Sequence, residues 1–270
     1  MQDAVFLLVQ FFKKTAGDFA KIKRPLSRPA RLYLVKKCNL LLGALPLKHG
    51  DFVLESLNEA PRDRKTIVLI RHAERVSFAG MPDHLREGVA ITPAGVLMAR
   101  EFGESLEKTF PGKPLVLGHT IARRCRMTAE SIRDGYPPNI PARILGCVPE
   151  IPSPVVHPDR YIALRDALGW REVIRKWLDQ ELSTVIFRNP HQYADDIVRN
   201  LFTYPGAGDG DLLVVVAHDI TIFPIISRVF GVKVKPVEFL NGMVISGDTD
   251  TAEFRFADAE NALKAERKIR

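Results

Sequence analysis

The sequence has few cysteines and no long apolar run, and both features narrow the class of protein. The cysteines Cys38, Cys125 and Cys147 are odd in number and lack metal-site spacing. They predict reduced thiols in a cytoplasmic protein rather than a disulfide framework. No apolar run reaches the roughly 18 residues of a spanning helix, so no membrane span is predicted. No Gly-x-Gly-x-x-Gly follows the first strand-like segment, which gives no support for dinucleotide binding.

The positive charge of the chain lies in its N-terminal part. The net charge is +7, but residues 1–50 contain ten Lys/Arg and two acids, so they carry +8 and leave −1 for the rest. This apolar, aromatic and basic start could lie on an anionic membrane surface, as a peripheral contact. It could equally pack its phenylalanines against its own domain. No nucleic-acid-binding motif accompanies the charge, so nucleic acid is not an expected partner.

Strand-like and helix-like segments alternate along the rest of the chain. The predicted strands are 66–70, 114–120 and 211–219, each followed by a helix, at 91–110, 122–135 and 220–231. Thr92 is the expected N-cap of the first of these helices, with Pro93 at its first position. The segment 243–256 is expected to form a closing hairpin. The pattern predicts a three-layer α/β/α fold with a mostly parallel sheet.

The same pattern suggests how the chain is divided. Residues 1–62 are expected to form a basic, partly helical N-terminal arm, and residues 63–270 an α/β domain. The stretch from about 136 to 205 breaks the alternation and is interpreted as an insertion over the edge of the sheet. Helices are expected within it at 159–168 and 170–183.

Three predicted strands end in unusual polar clusters. The first runs into Arg71-His72-Ala73-Glu74-Arg75, the second into His119-Thr120 and a helix with Arg123, Arg124 and Arg126, and the third into His218-Asp219. Ligands of open α/β sheets bind at the carboxyl ends of strands, so the clusters are expected to face one crevice. His119 could instead only cap the following helix.

Converging arginines and a histidine indicate chemistry on phosphorus. Guanidinium groups bind the oxygens of a tetrahedral dianion, and a histidine can attack phosphorus to form phosphohistidine. The arginines would neutralise the equatorial oxygens in place of a metal, so neither metal nor cofactor is expected. A carboxylic acid must protonate the leaving oxygen and later activate water. Asp219, Glu150 and Glu74 are the candidates.

Four segments, in order between residues 66 and about 245, resemble motifs of the histidine phosphatase superfamily, which has the phosphoglycerate mutase-like fold. They are "RHAER" (the Arg-His-Gly-x-Arg signature), "ITPAGVLMAREFG" (a Leu-Thr-x-x-Gly helix start), "TIARRCRMTAESI" (Ser-x-x-x-Arg-x-x-x-Thr-Ala) and "VVVAHDITI" (the second histidine). The resemblance implies that His72 is the nucleophile. It implies a phosphate pocket of Arg71, Arg75, Arg124 and His218. Ala73 replaces the usual glycine and adds a methyl close to the phosphate loop, and Thr120 replaces the usual serine but keeps a hydroxyl.

The resemblance does not decide which carboxylic acid donates the proton to the leaving oxygen. Members similar to acid phosphatases carry His-Asp at the second histidine, which matches Asp219. Members similar to phosphoglycerate mutases use a glutamate some 25 residues after the phosphate-binding arginine, which matches Glu150. Asp219 is favoured because it adjoins a residue of the pocket.

The function that these features predict is metal-independent hydrolysis of phosphomonoesters through phosphohistidine, with a phosphorylated small molecule or other phosphoester as substrate. A phosphomutase of the same fold is the enzymatic alternative, and it would need a site closed to water. A non-catalytic protein that senses a phosphorylated partner is the third. Selectivity is expected to reside in the loop 76–90 and the segment 136–205, with Arg86, Arg160 and Trp170 as possible contacts.

Overall fold

One seven-stranded sheet organises the part of the chain that the computed structural model describes, residues 49–148, 151–232, 237–248, 250–258 and 262–269. The strands are β1 Lys65–Arg71, β2 Leu115–His119, β3 Ala142–Cys147, β4 Leu212–Ala217, β5 Gly242–Gly247, β6 Thr251–Ala257 and β7 Ala262–Lys268. The helices are α1 Asp51–Asn58, α2 Pro93–Thr109, α3 Arg123–Gly135, α4 Pro158–Leu168, α5 Trp170–Leu178, α6 Pro190–Thr203 and α7 Asp219–Phe230. A 3₁₀ helix spans Asp83–Gly88. None of the described helices is long and apolar enough to cross a membrane.

The sheet is mixed but mostly parallel around its centre, as predicted. Its order is β3-β2-β4-β1-β5-β6-β7. β4 pairs in parallel with both β1 and β2, and β2 in parallel with β3. β5, β6 and β7 continue the sheet with antiparallel pairs, and the expected hairpin is the one between β5 and β6.

Helices cover both faces of the sheet, which explains why residues 67–70 of β1 are all apolar. Side chains alternate across a strand. Ile67 and Leu69 therefore belong to a core cluster shared with α5, α6 and α7, whereas Val68 and Ile70 belong to a cluster shared with α1, α2 and α3. The predicted three-layer α/β/α class is thus confirmed for the described residues.

Helix α1 lies within the segment that was assigned to the N-terminal arm. Its Val53 and Leu57 are buried in the same cluster as Phe102 of α2. This helix is thus packed into the core on the α2 side of the sheet. The rest of the predicted arm, residues 1–48, lies outside the described residues.

The stretch interpreted as an insertion contributes an edge strand as well as helices. Strand β3 closes one side of the sheet beside β2. Helices α4 and α5 lie where helices were expected, although α5 ends at Leu178 rather than near residue 183. Strand β3 and helix α6 were not predicted, and neither was the last strand, β7.

Candidate active site

The strand register brings the polar clusters to one edge of the sheet. In the parallel pairs Arg71 is opposite Ala217 and His119 is opposite Val216, so β1, β2 and β4 end side by side. The ladder continues one step further, since the His72 N–H donates to the Ala217 carbonyl at 3.0 Å. The residues that follow each strand therefore meet at one crevice, as expected.

A cleft of about 830 Å³ opens at this edge. Six of the seven predicted site residues line it: Arg71, His72, Arg75, Arg124, His218 and Asp219. The seventh, Glu150, lies outside the described residues, although Val148 and Ile151 on either side of it also line the cleft. The structure therefore brings these six residues together at one cleft.

The His72 imidazole is held in a single tautomer. Its Nδ1 lies 2.8 Å from the carbonyl oxygen of Ala73. Since a carbonyl oxygen can only accept, Nδ1 carries the hydrogen and Nε2 bears the lone pair. Only 3% of His72 is exposed, so the ring is fixed by its surroundings as well as by this bond.

The His72 imidazole is also held in its neutral form. Burial lowers its pKa to about 2, and the neighbouring His218, Arg124 and Arg71 act in the same direction against a smaller opposing effect of the Ala73 carbonyl. A proton on this ring would add a buried positive charge beside two guanidiniums. The Nε2 lone pair is therefore available across the physiological pH range.

His218 lies beside His72 and is neutral for the same reasons. The ring centroids are 5.5 Å apart, in an edge-to-face arrangement. Burial lowers the pKa of His218 to about 3, together with Arg124, Arg71 and Arg75. Arg124 Nη2 can only donate, and it lies 3.4 Å from His218 Nδ1, so His218 Nδ1 is the acceptor. The hydrogen of the neutral His218 ring is therefore on Nε2, which donates to the Thr120 hydroxyl at 3.2 Å.

The guanidiniums of Arg71, Arg75 and Arg124, with the imidazoles of His72 and His218, form what we call the arginine pocket. Arg71 is oriented by the carbonyl of Val237 at 2.5 Å, and Arg124 by that of Arg86 at 2.7 Å. The Nε atoms of Arg71 and Arg124 are buried and have no hydrogen-bond partner. Buried donors without an acceptor are costly, and an anion in the pocket would supply the acceptors.

Asp219 supplies a carboxylate that faces these guanidiniums. It is the first residue of α7, and its Oδ1 accepts the N–H of Ile220 at 2.8 Å. Its Oδ2 lies 3.6 Å from Arg71 Nη2. Three guanidiniums and one carboxylate, with both imidazoles neutral, leave a formal charge of +2. That charge matches a phosphomonoester dianion.

The aromatic ring of Phe78 lies against the guanidiniums of three arginines. The Arg75 Cζ lies 3.3 Å from its centroid, and those of Arg86 and Arg124 lie 5.3 Å from it. Burial lowers the pKa of Arg75 to about 10, together with Arg124 and Arg71, so it remains charged at neutral pH. The negative face of the ring offsets part of the repulsion among these cations. Nothing in the sequence around Phe78 pointed to this role.

Thr128 is a second residue that sequence reasoning missed. Its hydroxyl accepts the Ala73 N–H at 3.1 Å and donates to the Arg124 carbonyl at 2.7 Å, which joins the loop after β1 to α3. A usable signal was present, since Thr128 is four residues after Arg124 and the two share a helix face. The methyl group of Ala73 is fully buried in the core and does not line the cleft.

Glu74, considered from the sequence as a proton donor, has a structural role instead. Its carboxylate accepts the Thr92 hydroxyl at 2.9 Å, and its carbonyl accepts the Thr92 N–H at 2.9 Å. Thr92 caps α2 by accepting the Gly95 N–H, as expected. A Cβ at Gly95 would lie 2.3 Å from the Glu74 carbonyl, so only glycine permits α2 to approach the loop after β1 this closely.

The remaining candidates divide between the cleft and the surrounding structure. Arg86 and Trp170 line the cleft, whereas Arg160 is not among its lining residues. His119 is buried, with Nδ1 donating to the Thr120 carbonyl at 2.9 Å, and does not line the cleft. His119 therefore shapes the end of β2 rather than the arginine pocket.

An ion pair joins the 3₁₀ helix to the insertion beside the arginine pocket. Arg165 of α4 donates to both carboxylate oxygens of Asp83, at 2.5 and 3.0 Å. Arg86 also pairs with Asp83, at 2.8 Å, while its carbonyl holds Arg124. Paired donors of this kind hold groups in a defined orientation. The contacts connect α4 to an arginine of the pocket.

The positive charge of the cleft comes from arginine side chains. Within the described ranges there is no group of three or more His, Cys, Asp or Glu side chains that could hold a metal ion.

Comparisons with known proteins gave matches among solved structures. No family model and no curated protein matches the sequence. The chain is similar to a putative alpha-ribazole-5'-P phosphatase from Escherichia coli K-12, with 17% identity, 76% of this chain and 95% of that chain covered, and a TM-score of 0.45. It is similar to a mycobacterial glucosyl-3-phosphoglycerate phosphatase, with 15% identity, coverages of 76% and 98%, and a TM-score of 0.45. It is also similar to a phosphoglycerate mutase from Bacillus anthracis, with 12% identity, coverages of 69% and 89%, and a TM-score of 0.47.

These matched proteins are phosphatases and a mutase of the histidine phosphatase superfamily, which is the superfamily that the sequence motifs resemble. With identities of 12–17%, the activity of this chain has to be inferred from its own side chains.

Proposed function

We propose that this protein is a phosphatase that hydrolyses phosphomonoesters through a phosphohistidine on His72. One observation carries the proposal: a neutral imidazole, with its Nε2 lone pair free, lies in a pocket of three guanidiniums, and the formal charge of these groups is +2 when the neighbouring Asp219 carboxylate is included. An attacking nitrogen and a site for a tetrahedral dianion are the two requirements of phosphoryl transfer to histidine.

Binding of the phosphoryl group is assigned to the arginine pocket. The unpartnered Nε–H groups of Arg71 and Arg124 donate to phosphate oxygens, and Arg75 adds a third guanidinium. The dianion also reverses the electrostatic effect on His218, because its negative charge favours the imidazolium over the neutral ring. A protonated His218 then donates to the same oxygens and stabilises charge in the transition state.

The first chemical step forms the phosphoenzyme. The Nε2 lone pair of His72 attacks phosphorus, and a P–N bond forms as the P–O bond to the leaving group breaks. The positive charge that develops on the imidazole is stabilised by the Nδ1–H bond to the Ala73 carbonyl. Asp219, in its protonated form, gives its proton to the departing oxygen.

The second step releases inorganic phosphate. The Asp219 carboxylate accepts a proton from water as the water oxygen attacks phosphorus and the P–N bond breaks. His72 regains its neutral form and its lone pair. Glu150 is kept as the alternative proton donor, and a phosphomutase of the same fold as the alternative activity.

The proposal is tested by steady-state hydrolysis of aryl and alkyl phosphates in the presence of a chelator. We expect turnover to persist in the chelator and to fall about a thousandfold or more in His72→Ala. Brief reaction with radiolabelled substrate should leave acid-labile, base-stable label on the wild type and none on His72→Ala. Unchanged turnover in a folded His72→Ala protein would contradict the proposal.

Leaving-group chemistry separates the two acids. An alkoxide needs a proton from the acid, whereas a nitrophenolate leaves without one. Asp219→Asn should therefore lower turnover of alkyl phosphates about a hundredfold or more while sparing nitrophenyl phosphate. If Glu150→Gln shows that selective loss instead, Glu150 is the acid. Label transferred to an added acceptor alcohol in preference to water would favour the mutase.

The N-terminal arm is proposed as a peripheral contact with anionic membranes, on the basis of the +8 charge of residues 1–50 and their aromatic start. Co-sedimentation of the full chain with anionic vesicles at low salt tests this contact. A protein that stays in the supernatant would exclude it.

A further inference from the structure

The cleft extends beyond the arginine pocket along a surface that we call the apolar wall, formed by Val148, Ile151, Pro152, Pro154, Val155 and Ile220. The rings of Tyr161 and Trp170 line the same cleft. These residues line the same cleft as the arginine pocket, so they are available to contact the leaving group of a bound phosphate ester. The chemistry of the wall therefore bears on the substrate.

Several backbone polar groups of the wall are occupied by the protein. Pro152 and Pro154 have no N–H to offer. The Pro152 carbonyl accepts the Tyr193 hydroxyl at 2.8 Å. The carbonyls of Ser153 and Pro154 accept Nε and the backbone N–H of Arg188, at 3.1 and 2.9 Å. These three successive carbonyls are already paired.

The other N–H groups of the wall are also paired internally. They donate as follows: Val148 to the His119 carbonyl at 2.9 Å, Ile151 to the Val148 carbonyl at 3.2 Å, Val155 to the Ser153 hydroxyl at 3.1 Å and Ile220 to Asp219 Oδ1 at 2.8 Å. No donor of these four residues is left for a substrate hydroxyl.

Neutral polar side chains are scarce in the cleft. The described residues that line it include no asparagine or glutamine. The Thr120 hydroxyl is paired with His218, the Ser153 hydroxyl accepts Val155, and Thr221 is buried. The neutral polar groups that remain on the described lining residues are the Tyr161 hydroxyl, the Trp170 indole N–H and the Cys147 thiol. A polyhydroxylated leaving group would therefore lose hydrogen bonds to water with few replacements, which is unfavourable.

The charged groups outside the arginine pocket do not change this balance. Arg86 and Arg165 are both paired with Asp83, and Glu87 and Arg171, which also line the cleft, are exposed to solvent, where their charges stay hydrated. By contrast, the apolar side chain of Ile121 lines the cleft with 75% of its surface exposed. Covering that side chain with hydrocarbon would be favourable.

We infer that the substrates of this site are phosphomonoesters with an apolar alkyl or aryl leaving group, rather than phosphorylated sugars or glycerates. The inference rests on the proposed function and adds the class of substrate to it. The apolar wall and Ile121 bind the hydrocarbon, while the arginine pocket binds the phosphate. The specificity arises from burial of apolar surface together with the scarcity of partners for hydroxyl groups.

The test compares esters whose chemistry at phosphorus is similar. The value of kcat/KM is measured with the full chain for ethyl, propyl, butyl and hexyl phosphate, for glycerol 1-phosphate and for glucose 6-phosphate. We expect kcat/KM to rise about three- to fourfold per methylene until the wall is covered. Propyl phosphate should exceed glycerol 1-phosphate, which has the same three-carbon skeleton, about tenfold or more. The hydroxyls of glycerol make it the better leaving group, so chemistry alone predicts the reverse order.

Two variants connect the preference to the cleft. Ile121→Ser should flatten the dependence of kcat/KM on chain length, because serine offers no hydrocarbon surface to cover. Leu97→Ser is the matched control. Leu97 is 61% exposed on α2 and does not line the cleft, so this change should leave the whole series unaltered.

The outcomes separate this inference from the proposed function. Hydrolysis with equal kcat/KM for propyl and glycerol phosphates, or with the polar esters preferred, overturns the apolar leaving group and leaves the phosphatase in place. If kcat/KM rises equally per methylene in Ile121→Ser and in the wild type, the role of the Ile121 side chain is overturned. If the folded protein hydrolyses no ester at all, the proposed function and this inference are both refuted.

Discussion

The neutral, buried pair His72 and His218 should make the stability of the protein fall steeply between pH 7 and pH 5. Burial lowers the pKa of His72 to about 2 and that of His218 to about 3. In the unfolded chain both rings titrate near pH 6.5. The unfolded state therefore binds protons that the folded state does not bind, and the free energy of unfolding decreases as the pH falls through 6.5. The stabilisation is fully present above that pH.

The size of the effect follows from the same values. At pH 5 each unfolded histidine is about 1.5 pH units below its pKa, which corresponds to about 2 kcal/mol of stability lost per ring. The two rings together would lose about 4 kcal/mol, a large share of the roughly 5–15 kcal/mol of a typical domain. Neighbouring pairs such as Asp83 with Arg165 add a loss of the same sign, but only at lower pH, near the titration of unfolded carboxylates.

The assay is urea unfolding of the full chain at pH 7, 6 and 5, followed by tryptophan fluorescence, since Trp177 is fully buried. The variants are His72→Asn, which keeps a donor for the Ala73 carbonyl, and His218→Asn, which keeps an acceptor for Arg124. Each should remove about half of the pH dependence, or about 2 kcal/mol between pH 7 and pH 5. His84→Gln, at an exposed position, is the control and should keep all of it.

The reasoning is refuted if the double variant loses stability between pH 7 and pH 5 as steeply as the wild type. That result would mean that the two imidazoles are protonated in the folded protein, or that other groups dominate. Inorganic phosphate gives a further check, because a bound dianion favours protonated His218 and should lessen the loss at pH 5.

Three further predictions concern side chains around the cleft. Phe78→Leu removes the ring that lies against the guanidiniums and should raise KM for phosphate esters about fivefold with little change in kcat. Phe78→Tyr keeps an aromatic ring and should restore the wild-type KM. A change in kcat alone would contradict this prediction. Arg165→Met should raise KM severalfold by releasing the 3₁₀ helix. Arg175→Met breaks a larger but more exposed set of ion pairs, with Glu172, Asp179 and Glu181, and should leave KM unchanged. Equal effects of the two variants in steady-state kinetics would contradict the positioning role. Cys147 is exposed and should react with a thiol reagent in the folded protein. Cys125 is buried, which raises its pKa to about 12, so it should react only after denaturation. Peptide mapping by mass spectrometry distinguishes the two cysteines, and early labelling of Cys125 would show that the core opens.

The sequence was most informative about the centre of the sheet. Strands β1 and β4 are buried on both faces, so they are continuous apolar runs that cannot be mistaken for surface segments. Each also ends at a polar cluster, and parallel pairing places those ends together. The approximate composition of the site could therefore be predicted before any distance was known. The distances themselves, and the tautomers, depend on packing between elements that are far apart in sequence.

The edges of the sheet were much less predictable. Strand β7 has the sequence ALKAERK, whose residues favour helices over strands, and it is extended because seven residues pair with β6. Strand β3 is only partly buried and lacks a clear alternation. Helix α6 did carry a signal, with Asn189 capping it and Pro190 at its first position, but the surrounding irregular sequence obscured it.

The contacts of Phe78 could not have been inferred, because they join parts of the chain that local patterns treat separately. The ring follows Arg75 by three residues in a loop, but Arg124 comes from α3. The ion pair of Arg165 with Asp83 likewise spans 82 residues. Composition shows that such groups exist, whereas only the fold shows which of them meet.

The protein loses stability at low pH because His72 and His218 remain neutral in the folded state. The same neutral state underlies the activity proposed for the protein. Without ligand, burial disfavours a proton on His72, and Arg124 and Arg71 add to this effect, which keeps Nε2 nucleophilic. With a dianion bound, the same guanidiniums are neutralised, and the imidazolium character that develops on His72 during attack is no longer opposed. A charge reversal in the pocket therefore separates the state that binds substrate from the state that carries the phosphoryl group. Replacing either guanidinium should weaken phosphate binding and raise the pKa of His72 together, so the two effects should be correlated across variants.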